Sequence, residues 1–369
     1  MGNRIISVKQ LAVLVYFCVL GDSIIIAPSL LASFAEEDAW ISGLVGIAVG
    51  LSLLALIYRV GRIRSGESIV ELNRTLLGQW AGGAVSLFLI FYFIVNAGTM
   101  IRSIGDFVTT QMMPETPIRA IHLMLALILV WALRAGIETV GRTAELFFPW
   151  FVILLLGLMA ALLPKVEIEH ILPVGAHGAI PIVQGSAFMT LYPFAESIVL
   201  LAILPNVAKA KHALRDFLLA ALLGGLTIVA IILVCLLVLG PYLTAHQTYP
   251  TYALAKQISI GNFVERVEAI LAFLWIVSLL FKIILYGYAF VNGLAKLFRF
   301  RDENVLVFPS TFLFFGLAYV VSPNVVYFSE VAVRQYWPYW DFTVAIVIPL
   351  LLLAVSAIRR GRGKSSSSG

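Results

Sequence analysis

Ten runs of about twenty mostly apolar residues follow one another along this chain, separated by short polar segments. At 1.5 Å per residue, a helix of that length crosses the ~30 Å hydrocarbon core of a bilayer. The runs lack the period-two alternation of barrel strands, so only helices can satisfy their backbone polar groups in lipid. Composition agrees, with 61% hydrophobic and 12% charged residues; soluble domains carry about 25% charge. The chain is therefore expected to be an all-α membrane protein with about ten transmembrane helices.

The expected spans are 8–33, 39–60, 81–107, 117–135, 144–163, 182–204, 214–239, 264–292, 304–321 and 338–358. Basic residues set their direction, because cytoplasmic loops retain Lys and Arg. With the N-terminus inside, eighteen of the 25 Lys and Arg residues fall in inner segments. Only Arg119, Lys165, Lys256 and Arg334 fall outside, with Arg102, Arg266 and Lys282 in or bordering spans. Both termini are expected to be cytoplasmic. The first run is too long for a cleaved leader and is interrupted by Asp22. Residues 1–360 read as one polytopic membrane domain, and the basic, serine-rich 361–369 as a disordered cytoplasmic tail.

Chemistry-bearing motifs are sparse. Cys18 and Cys235 sit inside apolar runs, and the five histidines show no ligand spacing. No phosphate loop, nucleophile elbow or zinc motif occurs. The expectation is a protein that is not an enzyme, with no cofactor, no metal and no nucleic-acid partner. Its net charge of +5 is topological.

Ten spans permit a five-plus-five inverted repeat, over about 5–163 and 180–321, with peripheral helices to 358. In such folds the substrate sits where matching helices are interrupted near mid-membrane. Span one contains Gly21-Asp22-Ser23 followed by Pro28; span six contains Gly185-Ser186 and then Tyr192-Pro193-Phe194-Ala195-Glu196. Each break carries an acid where an ionised carboxylate costs several kcal/mol unless paired or solvated. A water-containing pocket would solvate the acids and the freed backbone groups. N–H groups at a half-helix start suit a substrate carboxylate, and the acids suit an ammonium. Tyr92 and Asn96, four apart on span three, share a face and are candidate pocket residues. The same features also fit plain kinks and a helix–helix hydrogen bond from Asn96. Arg102 is expected to snorkel to the headgroups.

Lys282 lies about eight residues, or ~12 Å, from the inner end of span eight, beyond the reach of its ~6 Å stem. One reading makes it a fixed cation standing in for a transported ion, with proton coupling as a corollary. The other is a salt bridge to Glu196 or Asp22, or a watery inner vestibule.

Further pieces carry a resemblance: Ile6-Ser7 with Gln10, Gly21 with Pro28, Asp38-Ala39-Trp40-Ile41, Pro114-Glu115-Thr116-Pro117, Arg142-Thr143-Ala144-Glu145, Glu265-Arg266-Val267-Glu268 and Phe281-Lys282-Ile283. In this order, from Ile5 to Ile358, the chain resembles the spore germination permeases, the B subunits of spore-germinant receptors. These belong to the amino acid–polyamine–organocation superfamily. The resemblance implies a LeuT-like fold with discontinuous first and sixth helices, and a place in the inner membrane of the spore. It implies binding of a small amino-acid-like germinant, beside A and C receptor subunits, to trigger germination. A proton-coupled amino-acid transporter is the alternative. The candidate ligand residues are Gly21, Asp22, Ser23, Tyr92, Asn96, Tyr192, Phe194 and Glu196, with Lys282 as the coupling or ion-substituting residue. Asp22 departs from the neutral residue the resemblance implies beside Gly21, and points toward an amine-bearing or basic germinant.

Overall fold

A computed structural model describes residues 5–208, 210–258, 266–324 and 327–365. The described residues are helical, joined by short turns, and hold no strand beyond an isolated bridge between Ile6 and Val207. Glu265 and the last four residues of the expected tail lie outside the described residues.

The first span is two helices, α1 (Val8–Leu20) and α2 (Ser23–Ala35). Ser7 and Gln10 form a capping box that starts α1: Gln10 N–H donates to Ser7 Oγ (3.1 Å) and Ser7 N–H to Gln10 Oε1 (2.9 Å). A 3-10 turn, Glu36–Asp38, leads into α3 (Ala39–Gly61). The amphipathic α4 (Ile69–Leu77) precedes α5 (Gln79–Phe107). Then come α6 (Ile118–Ala135) and α7 (Ile137–Leu162), joined through Gly136 at φ 83°, a conformation glycine adopts freely. The sixth span is α8 (Ala179–Met189), continued by a π-wound Thr190–Ala195 and a 3-10-wound Glu196–Ala202. After it run α9 (Ala213–His246), the short α10 (Pro250–Ala255), α11 (Glu268–Phe298) and α12 (Asn304–Val320). The last span winds as π over Phe328–Tyr336, α over Trp337–Phe342, π over Thr343–Val347, then α over Ile348–Ser365. That final helix includes Gly361–Ser365, where an uncoiled tail was expected.

Among the described residues, eight helical stretches are long and apolar enough to cross a bilayer, and Val8–Leu20 and Asn304–Val320 are shorter apolar helices. The chain is a multi-pass integral membrane protein. Other helices also overrun the expected spans: α7 starts at Ile137 instead of 144, α11 runs to Phe298 instead of 292, and α9 passes 239, kinking at Gly240 (φ 78°) before Pro241.

The hydrophobic core runs through the bundle and draws on all the spans. α1 and α2 both pack along α9, while α8 and its continuation pack along α3. α5 packs against α11, and α6 against α12. These pairings exchange when five is added to each span's number: one with seven becomes six with two, and three with eight maps onto itself. At the N-terminal end of the bundle, Ile6 N–H donates to Asn206 O (2.9 Å) and Ala208 N–H to Ile6 O (3.0 Å). The start of span one is thus laced to the end of span six. Gly50 lets the Phe194 ring sit directly on the α3 backbone; any Cβ there would overlap it.

α4 packs against the C-terminal end of α11. Arg74 Nη2 donates to Leu297 O (2.7 Å), capping the last turn of α11, and Lys296 pairs with Glu71 at 3.0 Å. Partial burial pulls the Glu71 carboxyl upward, but the Ser68 N–H, the Lys296 ammonium and the Ser68 hydroxyl outweigh it and hold it below the usual range.

Candidate functional site

α1 ends because Gly21 leaves the helical region, at φ 17° and ψ −115°. Its N–H still reaches Phe17 O (2.8 Å), and its freed carbonyl accepts from Ser278 Oγ of α11 at 3.1 Å. Asp22 O accepts the Ile25 and Ile26 N–H groups, so α2 starts at once. Glycine is required here for space: a Cβ on Gly21 would stand 2.5 Å from Lys282 Cδ.

Lys282 is fully buried and aims into this break. Its Nζ donates to Asp22 Oδ1 at 2.7 Å and also to Glu196 Oε2. Asp22 and Glu196 are 4% and 1% exposed, so neither carboxylate has bulk water as an alternative partner. One ammonium therefore ties the break of span one to the winding change of span six. Tyr286, one turn further along α11, donates to the Glu196 carbonyl (2.7 Å) and secures that winding. Isolated, each ion would cost several kcal/mol to bury; paired, most of that cost is offset.

Around the ion cluster lies a second polar layer. Tyr92 donates its hydroxyl to Asp341 Oδ1 (2.7 Å), and Asn96 Nδ2 donates to Tyr92 O (3.0 Å). Trp337 Nε1 donates to Asn96 Oδ1 (3.4 Å). The Tyr192 side chain lies close to Asp22. Ser23 is buried beside the break, and its Oγ has no hydrogen-bond partner among the described residues.

The expected site residues are thus largely brought together. Asp22, Glu196 and Lys282 touch directly, Tyr92, Asn96 and Tyr192 form the shell, and Gly21 and Ser23 line the break. Phe194 is the exception: its ring faces α3 and α9, against Gly50 and Gly225. Asp22 and Glu196 both engage Lys282, the salt bridge that the second reading of this lysine expects. Sequence reasoning missed Asp341, Trp337, Ser278 and Tyr286. The last two had a signal, lying four residues either side of Lys282 on its helical face. Arg102 is also corrected: rather than snorkelling, it pairs with Asp106 (2.8 Å), one turn along α5. A cleft of about 140 Å³ opens beside that pair, lined by Ser29, Ser103, Asp106, Gln247 and Trp275.

An interrupted first helix, a rewound sixth helix and a charge cluster between them define a membrane protein of the LeuT-like transporter fold. Solved structures agree. MhsT in complex with L-phenylalanine superposes with a TM-score of 0.58 at 12% identity, covering 94% of this chain and 97% of that one. Mhp1, a nucleobase-cation-symport-1 family transporter, gives 0.61 at 15% identity, covering 96% and 76%. Within that class, the chain belongs to the spore germination protein family, whose model matches residues 5–326. Spore germination protein KB of Bacillus subtilis is 27% identical over 364 residues, covering 98% of this chain and 97% of that protein. Spore germination protein A2 of the same organism is 25% identical over 350 residues, covering 92% of each.

Proposed function

We propose that this chain is the membrane-embedded B subunit of a spore nutrient receptor, binding a small amino-acid-like germinant at the Gly21–Asp22–Ser23 break. The observation that carries the reading is the Lys282–Asp22–Glu196 cluster, which fastens both irregular helices to α11 in a chain of the spore germination family. A ligand ammonium would compete with Lys282 for the two carboxylates. A ligand carboxylate would find the unpartnered Ser23 hydroxyl and the first N–H groups of α2. Releasing Lys282 would loosen the clamp between spans one, six and eight, a change that A and C subunits could read. The site would lie in the inner membrane of the spore, with both termini cytoplasmic, in keeping with the distribution of basic residues. Residues 5–163 and 180–321 would be the two inverted repeats, a reading supported by the five-span offset in packing.

The alternative, a proton-coupled amino-acid transporter, is favoured by the transporter fold and by a lysine at the heart of the site. Complementation separates the variables. In spores lacking the native gene, Glu196→Gln and Ser23→Leu should abolish the response to a panel of the twenty common amino acids, with the protein still present in the membrane. Normal responses in both would remove the site. In proteoliposomes, sustained concentrative uptake of any of those amino acids would favour the transporter.

A further inference from the structure

The buried polar core holds three carboxyl groups and one ammonium. Asp22, Glu196 and Asp341 are all buried, at 4%, 1% and 1% exposure, and Lys282 is the single cation among them. Lys282 Nζ is committed to Asp22 and Glu196. Asp341, in the Trp337–Phe342 turn of the last span, receives one hydrogen bond, from the Tyr92 hydroxyl, to Oδ1. Its Oδ2 has no partner among the described residues. The titratable groups around it are Tyr92 from α5, Tyr192 and Glu196 from the sixth span, Lys282 and Tyr286 from α11, and Asp22 from the break. Two of these are carboxylic acids, and the one cation is shared by both.

Ionising all three acids would leave the cluster two charges negative in a low-dielectric core. An unpaired buried carboxylate costs several kcal/mol, whereas a neutral carboxyl with one unmet hydrogen bond costs about 1–3 kcal/mol. Neutralisation falls on the acid that does not touch the ammonium. We propose that Asp341 is a proton-binding site: its carboxyl holds a proton on Oδ2 at neutral pH while Tyr92 donates to Oδ1, and Asp22 and Glu196 stay ionised on Lys282. The proton comes from water. This assignment stands whether or not a nutrient enters the break. It gives the receptor a titratable group that α5 and the last span share.

Infrared spectroscopy of the full-length protein in lipid nanodiscs tests it directly. At neutral pH, the native-minus-Asp341→Asn difference spectrum should contain the C=O stretch of a protonated carboxylic acid, moving to lower frequency in D2O. Tyr92→Phe, which removes the hydrogen bond to Oδ1, should raise the frequency of that band. This second variant carries the test if Asp341→Asn fails to fold. A difference spectrum without the band would overturn the proposal. So would an unchanged band in Tyr92→Phe. Stabilisation of the native protein by sodium chloride over choline chloride, lost in Asp341→Asn, would replace the proton by a bound cation.

Discussion

The first and sixth spans present the same chemical group, an acid near mid-membrane, by different backbone means. In the first, the helix stops at Gly21 and restarts at Ser23, and a side chain from α11 takes the freed carbonyl. In the sixth, the backbone never leaves helical conformation but passes from α to π to 3-10 winding around Pro193. Hydroxyl groups add local hydrogen bonds to its carbonyls: Thr190 Oγ1 donates to Ser186 O (2.9 Å) and Ser197 Oγ to Pro193 O (2.9 Å). Glycine gives one span a gap through which Lys282 enters. Proline, which lacks an N–H, gives the other a change of pitch. The gap is tight and depends on the lysine filling it; the rewound helix has its own local hydrogen bonds.

Variants at the two sites should separate these designs. Lys282→Met leaves both carboxylates buried without a cation and should cost about 3–5 kcal/mol. Thermal unfolding in nanodiscs would read this, with the protein still inserted in the membrane. A native unfolding temperature would mean that water or a proton already balances the acids. Gly21→Ala forces the lysine stem aside and should cost about 1–3 kcal/mol. Gly50→Ala, which displaces the Phe194 ring, should cost a similar amount. The difference lies in function: the Gly21 variant should impair the germinant response more than an equally destabilised Gly50 variant. Equal responses at matched stability would say that the ion cluster has no special part. Tyr286→Phe and Ser278→Ala each remove one hydrogen bond to a freed carbonyl, at about 1 kcal/mol apiece by the same unfolding measurement.

The smallest effect lies at α4, away from both breaks. Because Glu71 is held below the ordinary carboxylate range, the stability it lends is present above its unfolded pKa. It fades as pH falls through the lowered value. Hydrogen exchange of α4 should therefore rise on acidification in the native protein and change less in Glu71→Gln.

Much of this was legible in the sequence for a simple reason. Span lengths, the order of loops and the positions of Gly21, Pro193 and the acids are one-dimensional facts, and bilayer thickness turns them into helices. What a buried acid faces is a three-dimensional fact. Asp22 and Glu196 called equally for water or for a cation, and only the path of Lys282 past Gly21 decides between them. Phe194 lies within two residues of Glu196, yet the pitch change turns its ring to the opposite side. Asp341 escaped because it lies outside the two breaks that mark the candidate site in the sequence, while the irregular winding of the last span buries it.

A double-mutant cycle on Lys282→Met and Glu196→Gln reaches the ion cluster most directly. Unfolding free energies of the native protein, both single variants and the double would be measured in nanodiscs of one lipid composition. Direct pairing predicts a coupling energy of about 1–3 kcal/mol, with the double variant more stable than the two single losses would sum to. Additivity within about 0.5 kcal/mol would contradict it and leave the two residues as separate, independently compensated charges.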